Sequence, residues 1–417
     1  MNHFQRKRGE LYCESVPLEE LAQEVGTPAY VYSAATLRRH ARVFKSALRG
    51  LDFLACYAVK AAPNLALLGL LAEEGFGFDI VSGGELHRVL KAGGDPAKVV
   101  FSGVGKRPDE MAQALAAGIF QFNCESEEEL AQLSRAAVKR KTAAQVAIRV
   151  NPEVNAKTHP YIATALSTSK FGVPAARARK AFRLAASLPG VEVVGVACHI
   201  GSQIGAVRPF VEAARKMVEL VRALRADGHQ IRRLDMGGGL GVPYGEGEEP
   251  PGPVEYGTAL ARVLHGLDVK VLLEPGRLLV ANAGVLLSRV LLRKIGAGSR
   301  KFVVIDAGMN DLLRPALYDA HHAIEPVGRP RRRMEAVDVV GPVCESADVM
   351  ARRRRLPALE TGDLVVLRTA GAYGMAMASQ YNGRPRPAEV LVDGRSWRVV
   401  RARETYADLV RGEVAWE

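Results

Sequence analysis

Lys60 stands at the end of the apolar run Cys56-Tyr57-Ala58-Val59 and is followed by two small residues, Ala61 and Ala62. A free lysine amine, with a pKa of about 10.4, is almost wholly protonated at neutral pH and is a poor nucleophile. At the mouth of a buried strand, desolvation disfavours the ammonium, and the neutral amine can condense with an aldehyde as a Schiff base. Other chemically capable groups close comparable runs. His199 ends the run 193–199, Gly237-Gly238-Gly239-Leu240-Gly241 follows the run 231–236, and Glu274-Pro275-Gly276-Arg277 closes the run 269–274. Four glycines in five residues can present several backbone N–H groups to one anion with no side chain in the way. Taken singly, each residue has a plainer explanation: a strand-capping lysine, a core histidine, a flexible turn, a carboxylate paired with Arg277.

The elements that would carry these groups recur in a rhythm. Strand-like runs at 53–59, 76–81, 98–102, 119–123, 145–150, 193–199, 231–236 and 269–274 alternate with amphipathic helical patterns at 65–74, 85–92, 108–117, 127–139, 175–187 and 209–227. Eight such strands predict an α/β fold with a closed (β/α)8 barrel. A doubly wound open sheet would put its glycine-rich turn after the first strand, whereas here it follows the seventh. In the barrel, chemistry sits at the C-terminal ends of the strands and phosphate binds after strands seven and eight. That rule gathers Lys60 after strand one, Asp79 in strand two ahead of Ser82-Gly83-Gly84, Asn151-Pro152 after strand five, His199 after strand six, and the two glycine-bearing loops. A lysine for an imine, a phosphate cradle, an imidazole to stack on a ring and a carboxylate to hold a ring nitrogen protonated are the parts that pyridoxal phosphate requires.

Beyond residue 278 helices almost vanish. Strand candidates fall at 284–294, 301–306, 336–340, 363–369, 388–392 and 396–400, and Asp393-Gly394 between two alternating runs predicts a hairpin. The expected organisation is a cofactor-binding barrel over 35–278 and an antiparallel β-domain built from 279–417 with 1–34, since the alternating segment 28–33 can join it.

Composition narrows the partners. The formal charge of +12, from 57 Lys+Arg against 45 Asp+Glu, suits nucleic acid, an acidic surface or small anions. The densest basic runs, 329–333 and 352–355, lack interleaved aromatics, so they read as solvated loops and no nucleic-acid partner is expected. The longest apolar tract, 271–292, is broken by Glu274, Pro275, Arg277 and Arg289, so no membrane span is expected. Five cysteines without metal-ligand spacing and an N-terminus without an apolar signal core fit a reducing cytoplasm and no metal.

The motifs Tyr57-Ala58-Val59-Lys60-Ala61, Phe78-Asp79-Ile80-Val81-Ser82-Gly83-Gly84-Glu85-Leu86, His199-Ile200-Gly201-Ser202-Gln203, Asp235-Met236-Gly237-Gly238-Gly239-Leu240-Gly241 and Glu274-Pro275-Gly276-Arg277 resemble those of pyridoxal-phosphate decarboxylases built on an alanine-racemase-like barrel with a β-domain. Asp311-Leu312-Leu313-Arg314-Pro315-Ala316-Leu317-Tyr318, Gly341-Pro342-Val343-Cys344-Glu345-Ser346 and Gly371-Ala372-Tyr373-Gly374 narrow the resemblance to the diaminopimelate decarboxylase family, across nearly the whole chain.

The resemblance implies decarboxylation of meso-2,6-diaminopimelate to L-lysine, the last step of lysine biosynthesis. It makes Lys60 the Schiff-base lysine, His199 the stacking imidazole and Glu274 the partner of the pyridine nitrogen. Asp79 joins the cofactor residues, and Ser202, Gly237, Gly238, Gly239, Gly276, Arg277 and Tyr373 hold the phosphate side. Cys344 becomes the proton donor, reaching the site of a second subunit in an obligate homodimer. Arg277, Arg314, Tyr318, Glu345 and Tyr373 become contacts to the distal amino-acid end of the substrate, where cations suit a carboxylate and an anion suits an ammonium. The family's pattern is broken at Ala62 and in Ile162-Ala163-Thr164-Ala165, where Asn, Ser and Gly are expected, while Ser169-Lys170-Phe171-Gly172 survives. Rival readings are a decarboxylase of ornithine, lysine, arginine or carboxynorspermidine, a racemase on the same barrel, and an inactive regulatory binding protein.

Overall fold

The structure is a computed structural model that describes residues 2–155, 169–245, 247–328 and 331–416. The departures at Ala163 and Ala165 and the first two residues of the 329–333 basic run lie outside the described residues. The chain divides into two compact units: one comprises 1–39, 243–248 and 279–417, the other 40–242 and 249–278.

The second unit is a closed barrel of eight parallel strands: β1 (Phe53–Ala58), β2 (Gly77–Ile80), β3 (Val99–Phe101), β4 (Gln121–Cys124), β5 (Ala144–Asn151), β6 (Val191–Ala197), β7 (Arg233–Asp235) and β8 (Lys270–Leu273). Neighbours pair in order, and β8 closes on β1 through Val271 opposite Phe53 and Leu273 opposite Ala55. The strands are short and nearly continuously buried because parallel strands in a barrel are covered on both faces. Sequence punctuation sets the helices between them. Asn64, Ser82 and Ser126 accept from the backbone N–H of Ala66, Glu85 and Glu129 and so cap the helices Leu65–Glu73, Gly83–Lys91 and Glu127–Lys139. The sequence reading does not include the helix Pro253–Leu264 after β7. It buries Tyr256, Leu260 and Leu264 at four-residue spacing, and its Gly257 lies against the Ala47 carbonyl, where a Cβ would come within 2.1 Å.

The first unit is a β-domain around one sheet. The order is Val349–Pro357, Met334–Val340, Lys301–Ile305, Gly284–Ile295, Ala29–Ser33, Ala388–Asp393, Ser396–Arg401, with Leu364–Leu367 also paired to Gly284–Ile295. Most pairs are antiparallel, as the sequence suggests, but Ala29–Ser33 runs parallel to Ala388–Asp393 and Lys301–Ile305 parallel to Met334–Val340. The early strand at 29–33 joins this sheet, and the Asp393-Gly394 hairpin forms. Two features differ from the sequence reading. A three-stranded meander, Phe4–Lys7, Glu10–Cys13 and Val16–Pro17, precedes the helix Leu18–Glu24; Leu11, Leu18 and Leu21 pack with Val285, Val366 and Val390. Arg352 to Arg355 lie on an edge strand instead of a loop, with Arg352, Arg353 and Arg355 exposed, and charge along an edge discourages pairing with another chain.

Candidate active site

Each of the eight barrel strands delivers one polar side chain at or just past its C-terminal end: Lys60, Asp79, Ser102, Asn123, Arg149, His199, Asp235 and Glu274 in strand order. The sequence reading singled out Lys60, Asp79, His199 and Glu274. For strand five it named Asn151-Pro152, but Asn151 is the last residue of the strand and Arg149 lies two residues before it; Ser102, Asn123 and Asp235 hold the same end positions and were not singled out.

Lys60 sits on a 3-10 turn, Val59–Ala61, directly after β1. Its Nζ donates to Asp79 Oδ2 at 2.5 Å; the lysine side chain is 38% exposed and that of Asp79 0%. The amine is therefore stored against a carboxylate, and apolar desolvation is not its whole environment as the sequence alone suggested. The other carboxylate oxygen, Asp79 Oδ1, is buried with no hydrogen-bond partner among the described residues.

Glu274 is buried among acids. Ser102 Oγ donates to Glu274 Oε1 at 3.2 Å, and Asn123 Nδ2 donates to Asp235 Oδ2 at 2.8 Å and lies 3.4 Å from Glu274 Oε1. Burial, then Asp235 and Asp79, push the Glu274 carboxyl well above its usual range, against the pull of Lys60 and Arg149. Burial also raises Asp235. A cation placed against Glu274 would lower its carboxyl again. Arg149 is fixed by Glu125 Oε1 at 2.9 Å and lies over the ring of Phe171, 4.8 Å from its centroid, while Gly172 N–H donates to the same Glu125 carboxylate at 2.9 Å. The surviving Lys170-Phe171-Gly172 segment thus serves to seat Arg149.

His199 accepts at Nδ1 from the Gly238 N–H at 3.2 Å, which leaves its proton on Nε2 in the neutral ring. Although part of its surface reaches solvent, desolvation of the ring, then Arg149 and Lys60, hold it well below the ordinary histidine value. It is a neutral, flat surface at working pH. The glycine run is shaped by contact more than by freedom. Gly237 N–H donates to Asp235 Oδ1 at 2.9 Å, and a Cβ on Gly237, Gly238 or Gly239 would lie 2.6, 2.1 or 2.2 Å from His199 Nδ1, the Glu274 carbonyl or the Gly201 carbonyl. Arg277 Nη2 donates to Ser202 Oγ at 2.9 Å, bringing those two expected phosphate residues together beside the run. Gln203, which the sequence reading did not assign, clasps Val242 with both ends of its amide.

Gly238→Ala is expected to cost about 2–4 kcal/mol and to weaken cofactor binding, because its methyl meets strand backbone that cannot retreat. Gly205→Ala, with nothing within 4 Å of the added methyl, is the neutral control; comparison of their urea midpoints and cofactor titrations checks this.

Glu85 lies on the helix behind the Ser82 cap, close enough for Lys60 to act on it, and burial raises its carboxyl to about 7 although Val81 N–H and Lys60 oppose this. Its folded value exceeds the unfolded one, so the folded state holds the extra proton between about pH 4.5 and 7. Stability is therefore full below that window and falls as pH rises through it. Glu85→Gln is expected to gain about 1–3 kcal/mol on the parent when urea unfolding is moved from pH 5 to pH 8; a constant difference would contradict the assignment.

The remaining expected residues lie in the β-domain unit. Arg314 and Tyr318 are on one short helix, Arg314–Tyr318, with Arg314 5% exposed. Cys344 is a free, exposed thiol whose N–H donates to Asn382 Oδ1 at 2.7 Å. The loop carrying Cys344 and Glu345 is shaped by Asp348, which accepts from the N–H groups of Met309 and Val343, both at 2.7 Å. Tyr373 has a left-handed backbone, φ +56°, between Ala372 and Gly374.

A family model described as pyridoxal-dependent decarboxylase, pyridoxal binding domain, matches residues 34–281. Diaminopimelate decarboxylases of Vibrio cholerae and Pseudomonas aeruginosa are each 50% identical to this chain, over 98% and 99% of both partners. The chain belongs to the diaminopimelate decarboxylase family. Among solved structures, a diaminopimelate decarboxylase from M. jannaschii in co-complex with L-lysine superposes with a TM-score of 0.95 at 38% identity, covering 100% of this chain and 99% of that one. The chain is thus a pyridoxal-phosphate-dependent decarboxylase. Its residues fit that cofactor: an amine beside an acid with an unpartnered oxygen, a carboxyl raised by burial and neighbouring acids that a cationic ring nitrogen would stabilise, a neutral imidazole, and glycines at which a Cβ would close the cradle. Among the described residues no group of side chains could hold a metal ion, and no helix is long and apolar enough to cross a membrane.

Proposed function

We propose that this chain removes carbon dioxide from meso-2,6-diaminopimelate to give L-lysine, as the last step of lysine biosynthesis in the cytoplasm. The ring of eight strand-end groups headed by Lys60–Asp79 and Glu274 supports the chemistry, and family membership at 50% identity supports the substrate. Bound pyridoxal phosphate supplies an electron sink for the pair released when the carboxylate leaves. Lys60 would hold the cofactor through its amine, and Asp79 would orient that amine through the contact it already makes with Lys60 Nζ. Glu274 would face the ring nitrogen and favour its protonated form, its carboxyl being raised by burial and the neighbouring acids. His199 would offer its neutral ring as a stacking surface. Arg277, Ser202, Gly239 and Gly276 would bind the phosphate, Gly237 and Gly238 would shape its cradle by lacking side chains, and Tyr373 would be a further cofactor residue.

The distal amino-acid end would be recognised by Arg277, Arg314, Tyr318, Glu345 and Tyr373. Cys344 returns a proton to the α-carbon, from a second copy of the chain in a homodimer. Dimer sharing has its own expected result. Mixing inactive Lys60→Ala with inactive Cys344→Ala should restore about a quarter of parental activity, because random reassortment makes half the dimers hybrids with one intact site each; no recovery after verified exchange would contradict a shared site.

The substrate is tested by kcat/KM for CO2 release from meso-diaminopimelate, L-ornithine, L-arginine and L-lysine. Preference for meso-diaminopimelate is expected. Preference for another amino acid would keep the chemistry and overturn the distal-end roles.

A further inference from the structure

Arg314 is held by a histidine that neither the sequence motifs nor the proposed mechanism uses. Its Nη1–H donates to His322 Nε2 at 3.0 Å, and the guanidinium carbon lies 4.4 Å from the centroid of the Tyr244 ring. A guanidinium only donates, so Nε2 must be the acceptor and the imidazole proton must sit on Nδ1. There it donates to the Arg368 carbonyl at 2.8 Å. His322 is 0% exposed, and Tyr244 meets it edge-on, with centroids 5.3 Å apart and planes at 78°. The neighbouring His321 repeats the pattern one residue earlier: Arg354 donates to its Nε2, and its Nδ1–H donates to the Tyr244 carbonyl at 3.0 Å. One histidine thus fixes the guanidinium, and the other fixes the tyrosine whose ring lies against it.

An ordinary core histidine would need neither a defined tautomer nor a cation on its outer nitrogen. A long, five-donor side chain loses much rotamer freedom when it binds a carboxylate, and prior fixation removes that cost from the binding step. We propose that His322, supported by Tyr244, is a positioning residue that presents the Arg314 guanidinium in one orientation and so sets the protein's selectivity for ligands bearing a carboxylate at the distal end. This rests on the reading above in which Arg314 binds that carboxylate.

The test is equilibrium binding to the pyridoxal-phosphate-loaded protein of two ligands that differ in that group: L-lysine, which keeps the distal carboxylate, and 1,5-diaminopentane, which lacks it. The variants are Arg314→Ala, His322→Phe and His322→Gln, the last able to accept from Arg314 and donate to Arg368. Arg314→Ala is expected to weaken L-lysine about 100-fold and His322→Phe about 10-fold, with diaminopentane held within about twofold and His322→Gln recovering most of the loss. Unchanged L-lysine binding in His322→Phe while Arg314→Ala loses it would overturn the positioning role alone. Equal weakening of both ligands would show a merely structural role and also overturn it. Unchanged L-lysine binding in Arg314→Ala would overturn the Arg314 reading and the proposal with it. Should His322→Phe fail to fold, Tyr244→Leu asks the same question from the other face of the guanidinium, with the same outcomes.

Discussion

Lys60→Ala is expected to lower kcat/KM by about 10³-fold or more and to abolish the visible absorbance of covalently held pyridoxal phosphate. The variant also leaves the fully buried Asp79 carboxylate without its ammonium, so a loss of activity alone would not separate chemistry from folding. Lys60→Arg separates them. A guanidinium can still meet Asp79, so its urea midpoint should stay near that of the parent, yet it cannot condense with the cofactor aldehyde and its activity should match that of Lys60→Ala. An active Lys60→Arg protein would remove Lys60 from the covalent role. Recovery of the parental midpoint without activity would assign the loss to the amine itself.

Glu274→Gln is expected to lower kcat by about 10²- to 10³-fold while changing cofactor affinity much less. Glutamine fills the same volume and can accept from Ser102 and Asn123 as Glu274 Oε1 does. It cannot become an anion, and a ring nitrogen facing it has no reason to stay protonated, so the substrate's released electron pair meets a weaker sink. A second sign accompanies the first. The folded-state carboxyl is raised, so ionising it costs the folded state stability as pH rises. In the cofactor-free protein, Glu274→Gln should therefore be more stable than the parent at pH 8, with the advantage shrinking towards pH 5. Parental kcat in this variant would show that the ring-nitrogen partner lies elsewhere.

The barrel was legible because parallel strands buried on both faces write continuous apolar runs, and serine, asparagine or proline mark the start of several of its helices. The Pro253–Leu264 helix was equally legible, with Pro253 at its start and Tyr256, Leu260 and Leu264 at four-residue spacing, but the sequence reading does not include it. The N-terminal meander was missed because its strands, of two to four residues, are too short to show alternation. Two parallel pairings inside the β-domain depend on which distant strands meet, which no local pattern encodes. Within the site, Lys60 and Glu274 announce themselves as charges closing apolar runs. Ser102, Asn123 and Arg149 are equally placed, yet a serine or asparagine at a strand end looks like ordinary turn chemistry, and an arginine inside a strand looks like a surface cation. The engagement of the Gly237 and Gly238 amides by Asp235 and His199 is a fact of tertiary contact, invisible in a run of glycines.

The most direct measurement follows meso-diaminopimelate labelled in its carboxyl carbons with the pyridoxal-phosphate-loaded protein, recording CO2, the product and its chirality together. Loss of the carboxylate at the D centre leaves an L centre, so CO2 and L-lysine are expected in equal amounts, with no D-lysine and none of either product from Lys60→Ala. Release of CO2 only from another amino acid, appearance of racemic lysine, or interconversion of diaminopimelate stereoisomers without CO2 would contradict it.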